Sequence, residues 1–207
     1  MNGRRLLVAA WASCILAGCS IGRPIPEPTQ YVIDPPPKAV IRAGKLSIEA
    51  VRMGNVRVAA PYAGSMLVYR LDDVRYASDP YHVFEADPGA MLGSRMAEWL
   101  DESGPFRAVA QPGSSQPATA VLEATVTELY GDFRLGHSPA AVLAVQFTLI
   151  GQESARPMVL YERTIGRRII LPKASPDALV RGYAIALAQI LTQLTTDLVA
   201  ATPGAQP

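Results

Sequence analysis

The chain has 207 residues and a formal net charge of +1, with only two cysteines and two histidines. This length is enough for one folded domain with terminal extensions. The near-neutral charge excludes the basic footprint of a nucleic-acid-binding protein, and so few thiols and imidazoles leave little from which to build a zinc site.

The amino terminus has the parts of a lipoprotein signal peptide over residues 1–18. Arg4 and Arg5 give it a positive start. The apolar run that follows, residues 6–18, is shorter than the roughly 20 residues that span a bilayer as a helix. The pattern fits general secretory export better than the twin-arginine route. The run ends in a lipobox for signal peptidase II, formed by Leu16, Ala17 and Gly18 directly before Cys19.

Cys19 is the predicted lipid-carrying residue. Its thiol would take a diacylglycerol and its new amino group an acyl chain, and two or more chains hold a protein stably on a membrane. Removal of the signal with its two arginines brings the formal net charge from +1 to about −1. No other cofactor is expected: Cys14 leaves with the signal and Cys19 carries lipid, so the mature chain has no free thiol to bind a metal. The alternative is an ordinary secretory signal followed by a chance cysteine.

The residue after Cys19 bears on the membrane to which the protein is attached. In bacteria with two membranes, an Asp at this position commonly retains a lipoprotein in the inner membrane. Ser20 stands there instead. We therefore expect the outer membrane, on its periplasmic face, rather than the inner membrane.

A tether, one domain and a short tail are predicted after the signal. The tether covers residues 19–37 and is rich in proline, which favours an extended polyproline II chain of about 3.1 Å per residue. Within it, residues 31–34 look like a short strand. The domain covers residues 38–201, and the tail covers residues 202–207.

The amino-terminal half of the domain is predicted to contain strands and one helix. Alternation with a period of two marks strands at 45–53, 65–71 and 106–110, and short strands at 74–76 and 81–84 flank a predicted turn at 78–80. Asp87 as N-cap and Pro88 at the first helical position begin an amphipathic helix. Gly104 ends it.

The carboxy-terminal half predicts three consecutive strands and a second helix. Alternating residues at 120–129, 141–150 and 158–170, joined by short turns, indicate an antiparallel meander. Pro176 opens the last helix, whose apolar stripe should face the sheet: it comprises Tyr183, Leu187, Ile190 or Leu191, Leu194 and Leu198. The fold class is thus α/β of the α+β type, with a mixed, largely antiparallel sheet and two amphipathic helices packed on it.

Catalytic and metal-binding patterns are not supported by the sequence. His82 lies in a predicted strand and His137 in a turn, and neither has a second ligand at metal-binding spacing. The acidic pairs at 72–73 and 101–102 fit solvated surface better than a general acid and base. No nucleophile elbow or phosphate-binding glycine loop occurs.

Two groups of side chains are candidates for partner binding. A basic group lies on the last long strand and its exit, and comprises Arg163, Arg167, Arg168 and Lys173. It would bind an acidic partner or lipid head groups, or else it is a solvated strand face that protects a sheet edge. An aromatic group lies around the first helix and comprises Tyr62, Tyr69, Tyr76, Tyr81 and Phe84. It would form a docking patch, with Tyr81 and Phe84 as its centre, or else it packs within the sheet and core.

The order of these segments resembles the ABC-type transport auxiliary lipoprotein family, the PqiC-like paraquat-inducible group. The matching pieces are the lipobox, the strand at 31–34 with its prolines, the strand at 65–70, the stretch at 84–92 and the helix exit at 103–109. Their order and spacing carry the resemblance, which covers nearly the whole mature chain. Phe84 is a departure, because the family more often has Trp there.

The resemblance implies a non-enzymatic partner of a transporter. Such lipoproteins are similar to subunits that accompany lipid-transporting ABC systems, with a permease, an ATPase and a protein with a mammalian-cell-entry (MCE) domain. It also implies a fold similar to the amino-terminal domain of TolB. A homo-oligomer is left open.

Two functions therefore compete, and a hydrolase is a distant third. The first is a membrane-anchored periplasmic auxiliary component that docks or bridges an MCE-type ABC lipid transport system at the outer membrane. The second is a periplasmic lipid-binding or envelope-assembly lipoprotein without an ABC partner. A deep apolar cavity between sheet and helices would favour the second.

Overall fold

The structure is a computed structural model that describes residues 27–36, 48, 50–152 and 156–201. Within these residues, nine strands form one mixed sheet. The strands are β1 (Thr29–Tyr31), β2 (Ala50–Met53), β3 (Arg57–Val58), β4 (Met66–Arg70), β5 (Tyr76–Phe84), β6 (Ala108–Ala110), β7 (Ala120–Asp132), β8 (Ala140–Gly151) and β9 (Met158–Ile170). The α-helices are α1 (Pro88–Ser103) and α2 (Pro176–Ala201), and a 3₁₀ turn covers Ala60–Tyr62.

The predicted meander is the backbone of the sheet. β7 pairs antiparallel with β8, and β8 pairs antiparallel with β9, so that the register runs from Ala120 opposite Gly151 to Asp132 opposite Ala140. The other edge of β7 carries shorter strands in parallel: β4 at one end, β3 and β2 at the other. The prediction of a mixed α+β sheet with two helices is therefore confirmed.

One face of the sheet is apolar and both helices cover it. Leu122 and Val126 of β7 and Phe147 of β8 are fully buried on this face, and their strand neighbours point the other way. The buried residues of α1 and α2 belong to the same core cluster as these strand residues. Alternation along each strand is thus what puts the core on one side of the sheet.

Local signals fix the ends of α1 as the sequence predicts. The Asp87 carboxylate accepts a hydrogen bond from the Ala90 N–H at 2.9 Å, and Pro88 is the first helical residue. At the other end, the Gly104 N–H donates to the Leu100 carbonyl at 2.9 Å. A Cβ at position 104 would lie 2.3 Å from that carbonyl oxygen, so this close approach requires glycine.

The stripe of α2 faces the sheet, as predicted. Its members are at most 1% exposed: Tyr183, Leu187, Ile190, Leu191, Leu194 and Leu198. α2 lies across β8 and β9 and also touches α1. By length and mean hydropathy this helix could cross a membrane, but its apolar stripe is part of the core of the folded domain.

A glycine lets α2 lie close to the sheet. A Cβ at Gly182 would come within 2.6 Å of the Ala141 Cβ and 2.7 Å of Leu171 Cδ2. Leu171 can rotate, but the Ala141 Cβ is fixed to the backbone of β8.

We expect Gly182→Ala to destabilise the protein. Overpacking of this kind costs about 1–3 kcal/mol, which exceeds the roughly 1 kcal/mol that alanine gains over glycine in a helix. The free energy of unfolding measured by urea titration checks this. Gly64→Ala is the control, because a Cβ there meets no atom within 4 Å. Equal unfolding midpoints for Gly182→Ala and the parent would show that the packing of α2 on β8 is looser than described.

The predicted turn at residues 78–80 is wrong, because β5 runs through it without a break. Opposite β4, the register jumps from Leu67 facing Asp79 to Met66 facing Val83. Pro80 therefore lies in an irregular stretch of the strand, where its missing N–H does not interrupt the ladder. A proline that usually ends a strand here marks a bulge.

Residues 29–36 of the predicted tether lie on the body of the domain. β1 covers Thr29–Tyr31 rather than 31–34 and pairs in parallel with the end of β5. Ile33 is fully buried in the core. For the predicted strand at 45–53, residues 45–47 and 49 lie outside the described residues, and β2 begins at Ala50. β3 was not predicted, because two residues show no periodicity.

Candidate docking surfaces

The first candidate surface lies where α2 crosses β9, and Asp197 is its centre. The Asp197 carboxylate accepts hydrogen bonds from the Tyr161 hydroxyl at 3.0 Å, from Arg163 Nη1 at 2.7 Å and from Gln193 Nε2 at 2.8 Å. Burial alone would raise the pKa of Asp197, but these hydrogen bonds and the Arg163 charge bring the pKa below its usual value. The network fixes the helix on the edge strand and leaves Arg163 half-exposed.

Beside this network lies a groove of about 420 Å³. We call it the α2 groove; it is lined by Pro36, Arg167, Ile185, Ala188, Gln189, Thr192 and Gln193. Ile185 is 43% exposed, although most other large apolar residues of this helix are buried. Arg167 Nη2 lies 3.5 Å from the side-chain amide oxygen Oε1 of Gln193, and Arg167 Nη1 donates to the backbone carbonyl of Gly166 at 2.8 Å. The groove thus joins an apolar floor to a cation.

The second candidate surface is one end of the sheet, where three connections meet. Arg70 of β4 lies opposite Asp132 of β7, and Ala140 of β8 lies opposite both Asp132 and Ile170 of β9. The connections next to these residues therefore lie at one end of the sheet. We call this surface the loop end; it comprises residues 71–75, 133–139 and 171–175. The Leu171 N–H donates to the Pro139 carbonyl at 2.8 Å, which ties two of the segments together.

A buried carboxylate organises the loop end. Asp132 is 1% exposed. Arg134 donates to it from Nε and Nη2 at 2.9 Å each, and Arg168 Nη1 lies 2.5 Å away. Arg134 also reaches Asp73 in the first loop at 2.8 Å. Hydrogen bonds from Arg134, followed by those from Arg168, hold the pKa of Asp132 well below its usual range despite burial.

We expect Asp132→Asn to lower the free energy of unfolding at pH 7 by about 2 kcal/mol, since hydrogen bonds to charged groups contribute roughly 1.5–3 kcal/mol. The folded-state pKa of Asp132 is depressed, so its stabilisation is fully present above the unfolded-state pKa of about 4 and is lost progressively as the pH falls from there through the lower folded-state pKa. Urea titrations at pH 7 and pH 3 should therefore show a difference between variant and parent that shrinks in acid. Asp73→Asn, at an 85% exposed side chain, should change stability by less than about 1 kcal/mol. A difference independent of pH would contradict this role of Asp132.

A third polar cluster fills the irregular stretch of β5. Asp79 accepts from the Tyr69 hydroxyl at 2.8 Å and from the Tyr81 N–H at 2.9 Å, and it lies 2.7 Å from His82 Nδ1. Burial and then the hydrogen bond to Asp79 raise the pKa of Tyr69 above its usual range. Asp79 thus joins Tyr69 of β4 to the backbone and side chain of β5, and the cluster fixes the conformation of the irregular stretch.

The predicted basic group is divided by the sheet. Arg163 and Arg167 point to the helix side, where they contact α2. Arg168 points to the opposite face, where it binds Asp132, and exposed Lys173 lies in the loop end. Asp132 was not predicted as the partner of Arg168. Its only signal in the sequence is that a charged residue stands at the end of a long strand.

The predicted aromatic group is also divided, between the core, the surface of the sheet and solvent. Phe84 is 4% exposed and packs 6.5 Å from the ring of Tyr183, so its ring belongs to the core and offers no face to a partner. Tyr81 is 50% exposed and remains available. The other three rings pack on β7 or the residue after it: Tyr62 stacks on Tyr130, Tyr76 meets Tyr130 edge to face, and Tyr69 stacks on Phe133.

The acidic pairs of the sequence have structural partners. Asp72 accepts from the backbone N–H groups of Val74 and Arg75 and pairs with the Arg75 side chain, and these hydrogen bonds lower its pKa to about 2. Asp101 accepts from the Val109 N–H at 2.8 Å. The described residues contain no cluster of three metal-ligating side chains. Cys19 and the lipobox lie outside the described residues.

Comparison with known proteins identifies the family. The family model for the ABC-type transport auxiliary lipoprotein component matches residues 31–195. The chain belongs to this family. It is therefore an auxiliary lipoprotein of ABC-type transport. No curated protein is significantly similar to it.

Two solved structures show the same fold as this lipoprotein. Protein XCC0632 from Xanthomonas campestris is 18% identical with a TM-score of 0.66, and the match covers 84% of this chain and 94% of that one. A second structure, of an uncharacterized protein, is also 18% identical with a TM-score of 0.63, covering 84% and 99% of the two chains. At this identity the likeness establishes the fold of the lipoprotein alone. The predicted likeness to TolB stays a prediction.

Proposed function

We propose that this lipoprotein is a non-catalytic component of an MCE-type ABC lipid transport system. It is anchored by a diacylglycerol and an N-acyl chain on Cys19 in the periplasmic face of the outer membrane, needs no other cofactor, and docks or bridges the transporter there. Family membership supports the ABC partner. The lipobox and Ser20 support the anchor and its membrane.

The packed interior is the observation that favours docking to a protein partner over the binding and carriage of lipid. In the described residues, the space between the sheet and the helices is filled by side chains with no exposed surface, among them Met96, Leu100, Phe147, Leu187 and Leu191. An acyl chain needs an apolar cavity of its own, and here the core is closed. Exposed apolar surface, by contrast, marks sites of protein–protein or membrane interaction.

The α2 groove is the surface that fits a protein partner best. It combines an exposed isoleucine, Ile185, with the cation of Arg167, and Arg163 lies along the same edge of the helix. Arginine is enriched in protein–protein interfaces and among their binding hot spots, which lie in pockets that the partner shields from water. The partner segment would therefore present an apolar side chain next to a carboxylate.

Affinity purification from membranes tests this proposal. We expect the parent lipoprotein to retain a permease, an ATPase and an MCE-domain protein. The double variant Arg167→Glu with Ile185→Asp should retain about thirtyfold less of them, which corresponds to the 2 kcal/mol or more of a hot spot. Arg57→Glu, at a side chain that is 70% exposed on β3, is the control for the charge reversal at Arg167, and Ile185→Asp adds one further negative charge. Thermal melts of all three proteins verify that they fold.

The alternative function gives a different result in the same experiment. A periplasmic lipid-binding lipoprotein without an ABC partner would co-purify with lipid in a fixed ratio and with no transport subunits. That result would overturn the proposed function. Transport subunits retained equally by the double variant would instead keep the function and move the docking surface. The size of the purified complex also reports the number of lipoprotein copies.

A further inference from the structure

The loop end presents apolar side chains to solvent at its tips. Leu135 is 98% exposed and Val74 is 85% exposed, and Ile170, the last residue of β9 beside the loop end, is 60% exposed. Val74 follows Asp72, whose carboxylate holds the turn by accepting two backbone N–H groups, so the tip is fixed in this outward conformation. Arg134 of the second loop binds Asp73 of the first, which holds the two tips side by side.

Positive charge surrounds these tips. Arg75, 71% exposed, and exposed Lys173 lie in the first and third loops. Within the loop end, Arg75, Arg134 and Lys173 stand against Asp72 and Asp73, and the nearby Arg70 and Arg168 are offset by Asp132 and Asp177. The end is therefore positive by one charge, on a mature chain whose net charge is about −1. Apolar tips beside arginine and lysine fit the surface of an anionic bilayer.

The course of the chain brings the predicted anchor to this end. β1 runs parallel to β5, and β5 starts at the loop end, so the chain enters β1 from the loop-end side. The Tyr31 hydroxyl donates to Asp177 in the first turn of α2 at 2.9 Å. Thr29 lies beside His82 and Gln30 beside Val83. Val83 faces Met66 and Tyr76 faces Arg70, so the bulge in β5 leaves four residues of β4, or roughly 13 Å, between these two levels. The eight peptide steps between Cys19 and Glu27 span at most about 28 Å, which is enough to reach the level of the tips.

We propose that the loop end lies on the bilayer that holds Cys19. Val74 and Leu135 enter the boundary between head groups and acyl chains, about 5–10 Å deep, and Arg75 and Lys173 bind lipid phosphates. This inference rests on the lipid attachment in the proposed function. In this orientation the long strands β7, β8 and β9 rise from the membrane. Their far end, where Gly151 pairs with Met158, points into the periplasm.

Single-cysteine labelling tests the proposal on the full lipidated chain. Cys14 leaves with the signal and the Cys19 thiol is blocked by lipid, so one new cysteine is the sole label site. Val74→Cys and Leu135→Cys are compared with Met158→Cys, which is 60% exposed at the far end of the sheet. Each carries an environment-sensitive fluorophore and is reconstituted in vesicles of phosphatidylethanolamine and phosphatidylglycerol, with and without spin-labelled lipid. Thermal melts confirm that each variant folds.

We expect the fluorophores at positions 74 and 135 to emit at shorter wavelength in vesicles and to be quenched by spin-labelled lipid, and the one at 158 to do neither. Lipid quenching at 158 alone, or at none of the three, would overturn the proposal. The mass of each purified protein reports the acyl chains. Lipidated protein with unquenched tips refutes only the loop-end inference, whereas protein without acyl chains refutes the anchor on which it rests.

Discussion

Truncation of Leu187 or Leu191 to alanine is expected to cost about 2–5 kcal/mol of the free energy of unfolding. Both side chains are fully buried, and they belong to the core cluster that includes Phe147 and Val145 of β8. Removing three heavy atoms from such a position loses their transfer free energy and leaves a cavity that the surrounding sheet cannot close. Urea titration of the variants against the parent measures the loss.

Two further variants on α2 separate this core effect from other effects on the helix. Ile185→Ala, at a 43% exposed position, should cost less than about 1 kcal/mol. The buried Tyr183 hydroxyl has no hydrogen-bond partner among the described residues. Tyr183→Phe should therefore raise stability by about 1 kcal/mol or leave it unchanged. If Leu187→Ala melts like the parent but no longer retains the transporter, the stripe is an interface and not a core.

Periodic and capping signals are the part of the fold that the sequence predicts well. The alternation along residues 120–127 of β7 and 145–149 of β8 identifies the buried face, because each stretch has one buried side and one partly exposed side. Asp87 and Gly104 mark the ends of α1 through the backbone groups they satisfy. These signals are local, so no knowledge of the partners in the sheet is needed to interpret them.

Short strands and their pairing are not predictable in this way. β1 and β3 have three and two residues, and what makes them strands is a parallel neighbour more than 50 residues away in the chain. Pro80 misled the prediction because proline usually ends a strand, whereas an irregular register with β4 accommodates it here. Both errors concern long-range pairing, which local propensity does not encode.

The candidate sites show the same limit. Arg167 and Arg168 are neighbours in sequence, but on a strand neighbours point to opposite faces, so one meets α2 and the other meets Asp132. That division could be predicted from the period of two. The clustering of the loop-end segments could not, since it depends on which strands pair. Leu135 and Val74 are 61 residues apart and are brought together by the Arg134–Asp73 ion pair.

Replacement of Cys19 is expected to abolish membrane attachment through lipid. The thiol is the sole site for the diacylglycerol, and each buried methylene contributes about 0.8 kcal/mol to membrane binding. Cys19→Ala or Cys19→Ser should leave an uncleaved or unlipidated precursor that takes up no radiolabelled palmitate and does not complement a deletion.

Cys14→Ser is the matched control for this experiment. Cys14 lies in the signal five residues before Cys19, so the variant loses a thiol that the mature protein never carries. It should be cleaved, labelled with palmitate and recovered in the outer-membrane fraction like the parent. Palmitate incorporated into Cys19→Ala would refute the predicted attachment. Loss of label in Cys14→Ser as well would show that the signal tolerates no change in this stretch, so that the loss in Cys19→Ala could not be assigned to the thiol alone.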